Sequence, residues 1–185
     1  MLRKLILAAS LVASPALAEG EPDGPGPNLV VEVTGAANGT VVIDMLPDYA
    51  PKHVAQMVAL AKSGAYDGVV FHRVIDGFMA QTGDVRYGKA GGDLSMAGTG
   101  DSDMPNIPAE FSNVSFQRGI VGMARTDDPD SANSQFFIMF APATHLDGQY
   151  TVVGHVVQGM EVVDAIQRGE PPAKPDVMTK VTVQD

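Results

Sequence analysis

The stretch "FHRVIDGFMAQTGD", residues 71–84, sets a cation where a strand wants apolar side chains. Phe71, Val74, Ile75, Phe78 and Met79 are core-forming residues, yet Arg73 sits among them and Gln81 follows two places after Met79. An arginine in that company is paired, extends its charged head to water, or is held for a ligand. Alternate residues of a strand share a face, so Met79 and Gln81 present one mixed polar and apolar surface. "SQFFIMF" (134–140) makes a second, with Gln135, Phe137 and Met139 on one face. Two such surfaces and an arginine would form an apolar pocket with a few oriented donors, the usual construction of a small-ligand site. Scattered strand residues with one solvent-reaching arginine account for the same letters equally well, and these runs alone do not decide between the two.

Outward from this stretch the chain reads as many short strands and two helices. "LVVEV" (29–33) and "TVVIDML" (40–46) flank Asn38-Gly39, a hairpin signal. Within "APKHVAQMVALAKSG" (50–64), Val54, Met57, Val58 and Ala61 fall at helical spacing, with Pro51 suited to the first turn and Gly64 to the stop. Strand-like runs return at 69–75, 78–83, 119–125, 134–140, 150–157 and 176–184, and "GMEVVDAIQRG" (159–169) is a second helix bracketed by glycines. Many short strands with two helices point to a closed β-barrel capped at its ends. Residues 86–113, rich in Gly, Asp and Ser, show little periodicity, and loops of that length are functional or mobile.

The chain opens with a basic start (Arg3, Lys4), a short apolar run and the small residues Ala16 and Ala18, the three parts of a secretory signal peptide over residues 1–18. The apolar run is shorter than the ~20 residues that span a bilayer. Residues 19–28, with three prolines and three glycines, read as a flexible tether ahead of a domain over 29–185. Cleavage after Ala18 leaves 10 basic residues against 22 acidic ones, a net charge of −12. Phosphate contacts need a basic face, so nucleic acid is not an expected partner. With no cysteine, an exported chain must be held by its core rather than by disulfides.

Common chemistries are missing from the letters: there is no G-x-S-x-G elbow, no P-loop and no H-E-x-x-H. The acidic turns "DDPDSAN" and "DSDMPN" lack the glycine and distant glutamate of a calcium loop. His53, His72, His145 and His155 do not stand at metal-ligand spacing; His53 reads as a helix-surface residue and His72 as a hydrogen-bonded strand residue.

Taken together, "FHRVIDGFMAQTGD", "IPAEFSN", "RGIVGMAR", "SQFFI" and "HLDGQYTVVGHVVQGMEVVDAI" resemble the cyclophilin-type peptidyl-prolyl isomerases in their short bacterial exported form. The resemblance runs from about residue 28 to the C-terminus. It implies a mainly β fold, a closed eight-stranded antiparallel barrel capped by two α-helices. It implies rotation about X-Pro bonds of unfolded or flexible exported polypeptides, carried out by a periplasmic monomer that needs no metal or cofactor and no membrane once the signal is cleaved. By the same resemblance Arg73 matches the catalytic arginine, while Phe78, Met79, Phe137 and Leu146 match the pocket for the proline ring. Gln81 and Gln135 match side chains that hold the site and the substrate backbone; Ala124 and Arg125 match the segment along which the peptide lies. Tyr150 stands where many eukaryotic members have His, and His145 where many carry a Trp on the pocket rim. Thr82 replaces a common Gly, and the "GTGDSDMPN" loop lacks a pair of glycines, so no binding residue is assigned there. A prolyl-peptide binding module on the same scaffold is the competing reading, but Arg73, Phe78, Gln81 and Phe137 all favour the enzyme.

Overall fold

The computed structural model describes residues 23–184. The expected signal peptide lies outside the described residues, as does the first part of the expected tether. From residue 23 onward the tether region touches the domain: the Gly24 N–H donates to Asp44 Oδ2 at 3.0 Å, and Pro27 O accepts from Met45 N–H at 3.1 Å.

Strands β1 (Asn28–Thr34) and β2 (Gly39–Met45) form the expected hairpin, with Val31 opposite Val41. Period-two patterning sets its faces, with Leu29, Val31, Val33, Val41 and Ile43 inward and Glu32 outward. Helix α1 (Pro51–Lys62) lays Val54, Met57, Leu60 and Ala61 against the core. Its first residues are preceded by Ala50, which has no side chain to cap them. The cap comes from far away. Glu110 accepts hydrogen bonds from the backbone N–H of Lys52 and of His53, both at 3.1 Å, and from His53 Nδ1 at 2.7 Å. His53, expected on the helix surface, is therefore fully buried, and the carboxylate at its Nδ1 explains the departure.

The remaining strands are β3 (Val69–Val70), β4 (Arg73–Ile75), β5 (Met79–Thr82), β6 (Ile120–Met123), β7 (Phe136–Met139), β8 (Val152–Gln158) and β9 (Val177–Gln184). Every pairing is antiparallel, and the order across the sheet is β3-β9-β1-β2-β8-β6-β7-β5-β4. The count is nine rather than the expected eight, because the run 69–75 is two strands. β3 and β4 stand at opposite ends of the order yet are separated in sequence only by Phe71 and His72. The sheet thus curls so that its two end strands follow one another in the chain, but no ladder joins them, and the expected closed barrel is an open half-barrel. At this seam the backbone finds other partners: Phe71 N–H donates to Asp176 O at 2.9 Å, and Val74 exchanges two bonds of 2.8 Å with Gly169. His72, expected within a strand, lies in the break, buried beneath Gly98.

Helix α2 (Met160–Ala165) is shorter than the expected 159–169. Beyond it the chain straightens at Ile166, and Gln167 N–H is taken by the buried Asp176 carboxylate at 2.7 Å, which redirects the segment toward the seam. One core cluster joins the helices to the sheet through residues such as Leu29, Ile43, Met57, Phe71 and Val163; a second gathers Met79, Phe116, Phe137 and Leu146.

The Glu110 cap has a pH signature. Burial pushes His53 below its ordinary value in spite of Glu110, so the imidazole is neutral and donates from Nδ1. Burial alone would raise Glu110, but its bonds from His53 and from the Lys52 and His53 backbone outweigh that and hold it below the usual carboxylate range. Both groups bind protons more readily in the unfolded chain. Stability therefore falls as pH drops below about 6.5, where unfolded histidine charges, and falls again below about 4.3, where unfolded glutamate protonates. Glu110→Gln should lower stability by about 2 kcal/mol at pH 7, and its gap from wild type should narrow toward pH 3. Denaturant titrations at both pH values measure this, and a gap that stayed constant would dismiss the charged cap.

Candidate active site

The site is a row of residues facing one another across neighbouring strands. In β4 and β5 Arg73 stands opposite Gln81; in β5 and β7 Gln81 stands opposite Phe137; in β7 and β6 Phe137 stands opposite Gly122. Directly opposed residues of an antiparallel sheet project from the same face. The mixed surfaces legible around Gln81 and around Phe137 are thus one surface. Arg73, Phe78, Met79, Gln81, Ala124, Arg125, Phe137 and Tyr150 line a single cleft of about 210 Å³.

A chain of hydrogen bonds fixes the polar side. Arg73 Nη1 donates to Gln81 Oε1 at 3.4 Å, Gln81 Nε2 to Gln135 Oε1 at 3.0 Å, and Gln135 Nε2 to the carbonyls of Gly98 and Gly100 at 3.1 and 2.9 Å. On its other side Arg73 Nε donates to Glu170 Oε2 at 2.8 Å. Neither hydrogen of Arg73 Nη2 has a partner among the described residues, and 43% of the side chain is exposed. Five donors in a rigid plane, two of them committed, leave a fork open to the cleft.

The apolar side is built from aromatic rings. Phe137 stacks on Phe116 (5.9 Å between centroids) and meets Tyr150 edge-on, also at 5.9 Å. Gly122 makes this possible, since a Cβ there would fall 2.6 Å from the Phe137 ring and 2.7 Å from that of Phe116. Leu146 belongs to the cluster that backs these rings and is buried, so it supports the cleft rather than lining it. Arg125 covers Tyr150 at 4.4 Å from the ring centroid and donates to the carbonyls of Thr126 and Gln149, which keeps it along the rim. Gln135 lines an adjoining depression of about 370 Å³ together with Gly98, Asn106 and Ser131; Gln81, Ala124 and Arg125 border both hollows.

Comparison with known proteins decides the family. The family model described as "Cyclophilin type peptidyl-prolyl cis-trans isomerase/CLD" matches residues 29–183. The chain belongs to the cyclophilins. A probable peptidyl-prolyl cis-trans isomerase of Brucella suis is 54% identical over 154 residues, covering 80% of this chain and 79% of that protein. Peptidyl-prolyl cis-trans isomerase 10 of Caenorhabditis elegans is 37% identical, covering 70% and 77%. The crystal structure of cyclophilin AquaCyp293 from Hirschia baltica superposes with a TM-score of 0.71 at 27% identity, over 86% of this chain and 74% of that one. A Cryptosporidium parvum cyclophilin type isomerase, crystallised in the presence of the dipeptide Ala-Pro, gives 0.73 at 22% identity, over 85% and 99%, a likeness of fold. The activity is that of a peptidyl-prolyl cis-trans isomerase.

Several features of this cyclophilin cleft are not legible from the motifs. Glu170 and Phe116 carry no local signal, Gly122 stands within "RGIVGMAR" with nothing to mark its role under the rings, and the Gly98 and Gly100 carbonyls lie in the aperiodic loop. That loop is organised by Asp84, the last residue of the stretch 71–84. Its buried carboxylate accepts from the N–H groups of Arg86, Tyr87, Gly98 and Gly100 at 2.7 to 3.1 Å. Thr82, placed where the family commonly has Gly, donates its hydroxyl to Val70 O at 2.9 Å and braces β5 against the seam. His145 lies beside Phe78, the two rings stacked at 6.1 Å.

Proposed function

We propose that Arg73 is the donor that drives isomerisation, that the cleft over Phe137 takes the proline ring, and that the enzyme acts on exported polypeptides. The observation that carries the first two parts is the open Nη2 of Arg73, aligned with Gln81 and Phe137 in one cross-strand row. Rotation about an X-Pro bond meets a barrier of ~18–20 kcal/mol because resonance stiffens the amide. In the twisted state that resonance is lost and the proline nitrogen regains a lone pair. A fixed guanidinium donor binds this form better than the planar one, which is the condition for acceleration. Phe78, Met79 and Phe137 hold the ring while the preceding carbonyl swings, and the apolar floor strengthens the donor by keeping water away. Gln81 and Gln135 keep the arginine and the rim in register, and Ala124 and Arg125 border the path of the peptide. No heavy-atom bond breaks, so no nucleophile is required.

Export is supported by Arg3 and Lys4, the apolar run after them and the small residues Ala16 and Ala18. Clients are unfolded or flexible proline-containing chains met outside the cytoplasm, in the periplasm, and the acidic mature chain works on them as a monomer. Protein recovered from the cell envelope should begin at Glu19 by intact mass, and recovery of a Met1 form would overturn this part.

Arg73→Ala should lower kcat/KM in a protease-coupled assay on a short X-Pro peptide by about 10²–10³-fold, the usual consequence of losing one transition-state donor. The fold should be retained, as read by circular dichroism. Arg73→Lys should also be poor, because a point charge does not reproduce the planar fork. Full turnover in a folded Arg73→Ala would remove Arg73 from the mechanism.

His145 sets inhibitor strength. In the family a Trp at this place contacts cyclosporin on the pocket rim. The smaller imidazole offers less apolar area, at about 25 cal/mol per Å², and no indole N–H. Short peptides rest deeper, on Phe78, Met79 and Phe137. His145→Trp should therefore tighten cyclosporin while changing peptide turnover little, and inhibitor titration of the two proteins is the measurement.

A further inference from the structure

We infer that Glu170 is a positioning residue for Arg73, holding the guanidinium so that its terminal nitrogens meet the substrate. The inference rests on the reading of Arg73 as the catalytic donor. Glu170 touches the arginine at Nε alone, through one oxygen, at 2.8 Å. A carboxylate that blocked the fork would take both terminal nitrogens end-on in a bidentate pair. Here it grips the base of the fork and leaves Nη2 open. The other restraint, from Nη1 to Gln81, is long at 3.4 Å and orients the plane weakly by itself. Two points of attachment fix a plane that one does not.

Both members of the pair are about half exposed (43% and 52%), and free surface pairs of this kind contribute little, because two long side chains must be ordered. Glu170 differs in standing on a segment that is already rigid. Gly169 exchanges two backbone bonds with Val74, the residue next to Arg73. Gly169 has a φ of +147°, and a Cβ there would lie 2.6 Å from Pro172 Cα, so the turn is specific to glycine. Just before it, Arg168 lies over the Phe140 ring at 4.1 Å and donates to the Asp164 and Ile166 carbonyls. Gln167 is tied through its N–H to Asp176 and through its side-chain oxygen to Lys174 N–H. The backbone that carries the carboxylate is thus fixed beside Arg73 by pairing, so that only the two side chains remain to be ordered.

The test is a double-mutant cycle in the X-Pro peptide assay. Glu170→Ala should lower kcat/KM about fivefold, and Glu170→Gln, which keeps an acceptor oxygen, about twofold. Midpoints of thermal unfolding should stay within about 2 °C of wild type, as for an exposed pair. In an Arg73→Ala background Glu170→Ala should change nothing further, a result that a merely structural role does not produce. If Arg73→Ala lowers activity but Glu170→Ala equals or exceeds wild type, or keeps its effect without Arg73, the positioning role is overturned. If Arg73→Ala itself retains full turnover, it is the underlying reading of Arg73 that fails.

Discussion

The structure depends on a sheet whose two edges meet on one short piece of chain. Residues 69–75 pair outward in both directions, Val69 and Val70 with β9 and Arg73 to Ile75 with β5, and the ladder stops between them. Backbone groups at such a break must find partners or lose the stability that hydrogen bonding gives. Asp176 O takes the N–H of Phe71, and Gly169 takes both groups of Val74. These substitutes bring the segment 166–176 against β4, with Glu170 beside Arg73. The arginine stands at the seam on β4, the end strand of the sheet, which pairs with β5 alone in the strand order.

A reaction that needs only a better fit to a twisted amide depends on geometry held in advance. Arg73, Gln81, Phe137 and Gly122 come from four neighbouring strands, so their spacing is set by sheet pairing rather than by loop conformation. The missing side chain at 122 lets Phe137 and Phe116 stack where a Cβ would collide with both. The polar arm extends the same order into the loop, from Gln81 through Gln135 to two glycine carbonyls. Apolar floor and polar wall are thus parts of one rigid surface, which is what orienting a donor at a single nitrogen requires.

Much of this is legible in the letters, and what is not has one cause. The hairpin at Asn38-Gly39, the stripe of α1 and the alternations around Met79 and Gln81 are local patterns, and each corresponds to an element. Resemblance supplied Arg73, Gln135 and Tyr150, which alternation alone left ambiguous. Partners remote in sequence leave no such trace. Arg73 and Glu170 are 97 residues apart, and His53 and Glu110 are 57 apart. A histidine on a helix with no nearby acid therefore reads as a surface residue although it is buried. The split of 69–75 is hidden for the same reason: "VVFHRVI" is β-forming throughout, and only tertiary pairing interrupts it. α2 ends early because Asp176 removes Gln167 from the helix, although the letters up to Gly169 would sustain another turn.

Two buried carboxylates stand in for regular structure where the chain has none. Asp84 collects four backbone N–H groups of the loop beyond β5, and Asp176 collects those of Ala37 and Gln167. Both side chains are fully removed from solvent, which is tolerable for a carboxylate when donors surround it. Each serves one flank of Arg73. Asp84 holds Gly98 and Gly100 where their carbonyls receive Gln135, and so steadies Gln81. Asp176 turns the chain after α2 toward Gly169, and so presents Glu170. Aperiodic segments rich in glycine and acid look unstructured because their order is not periodic; here it radiates from single carboxylates, and both sets of bonds converge on the same guanidinium.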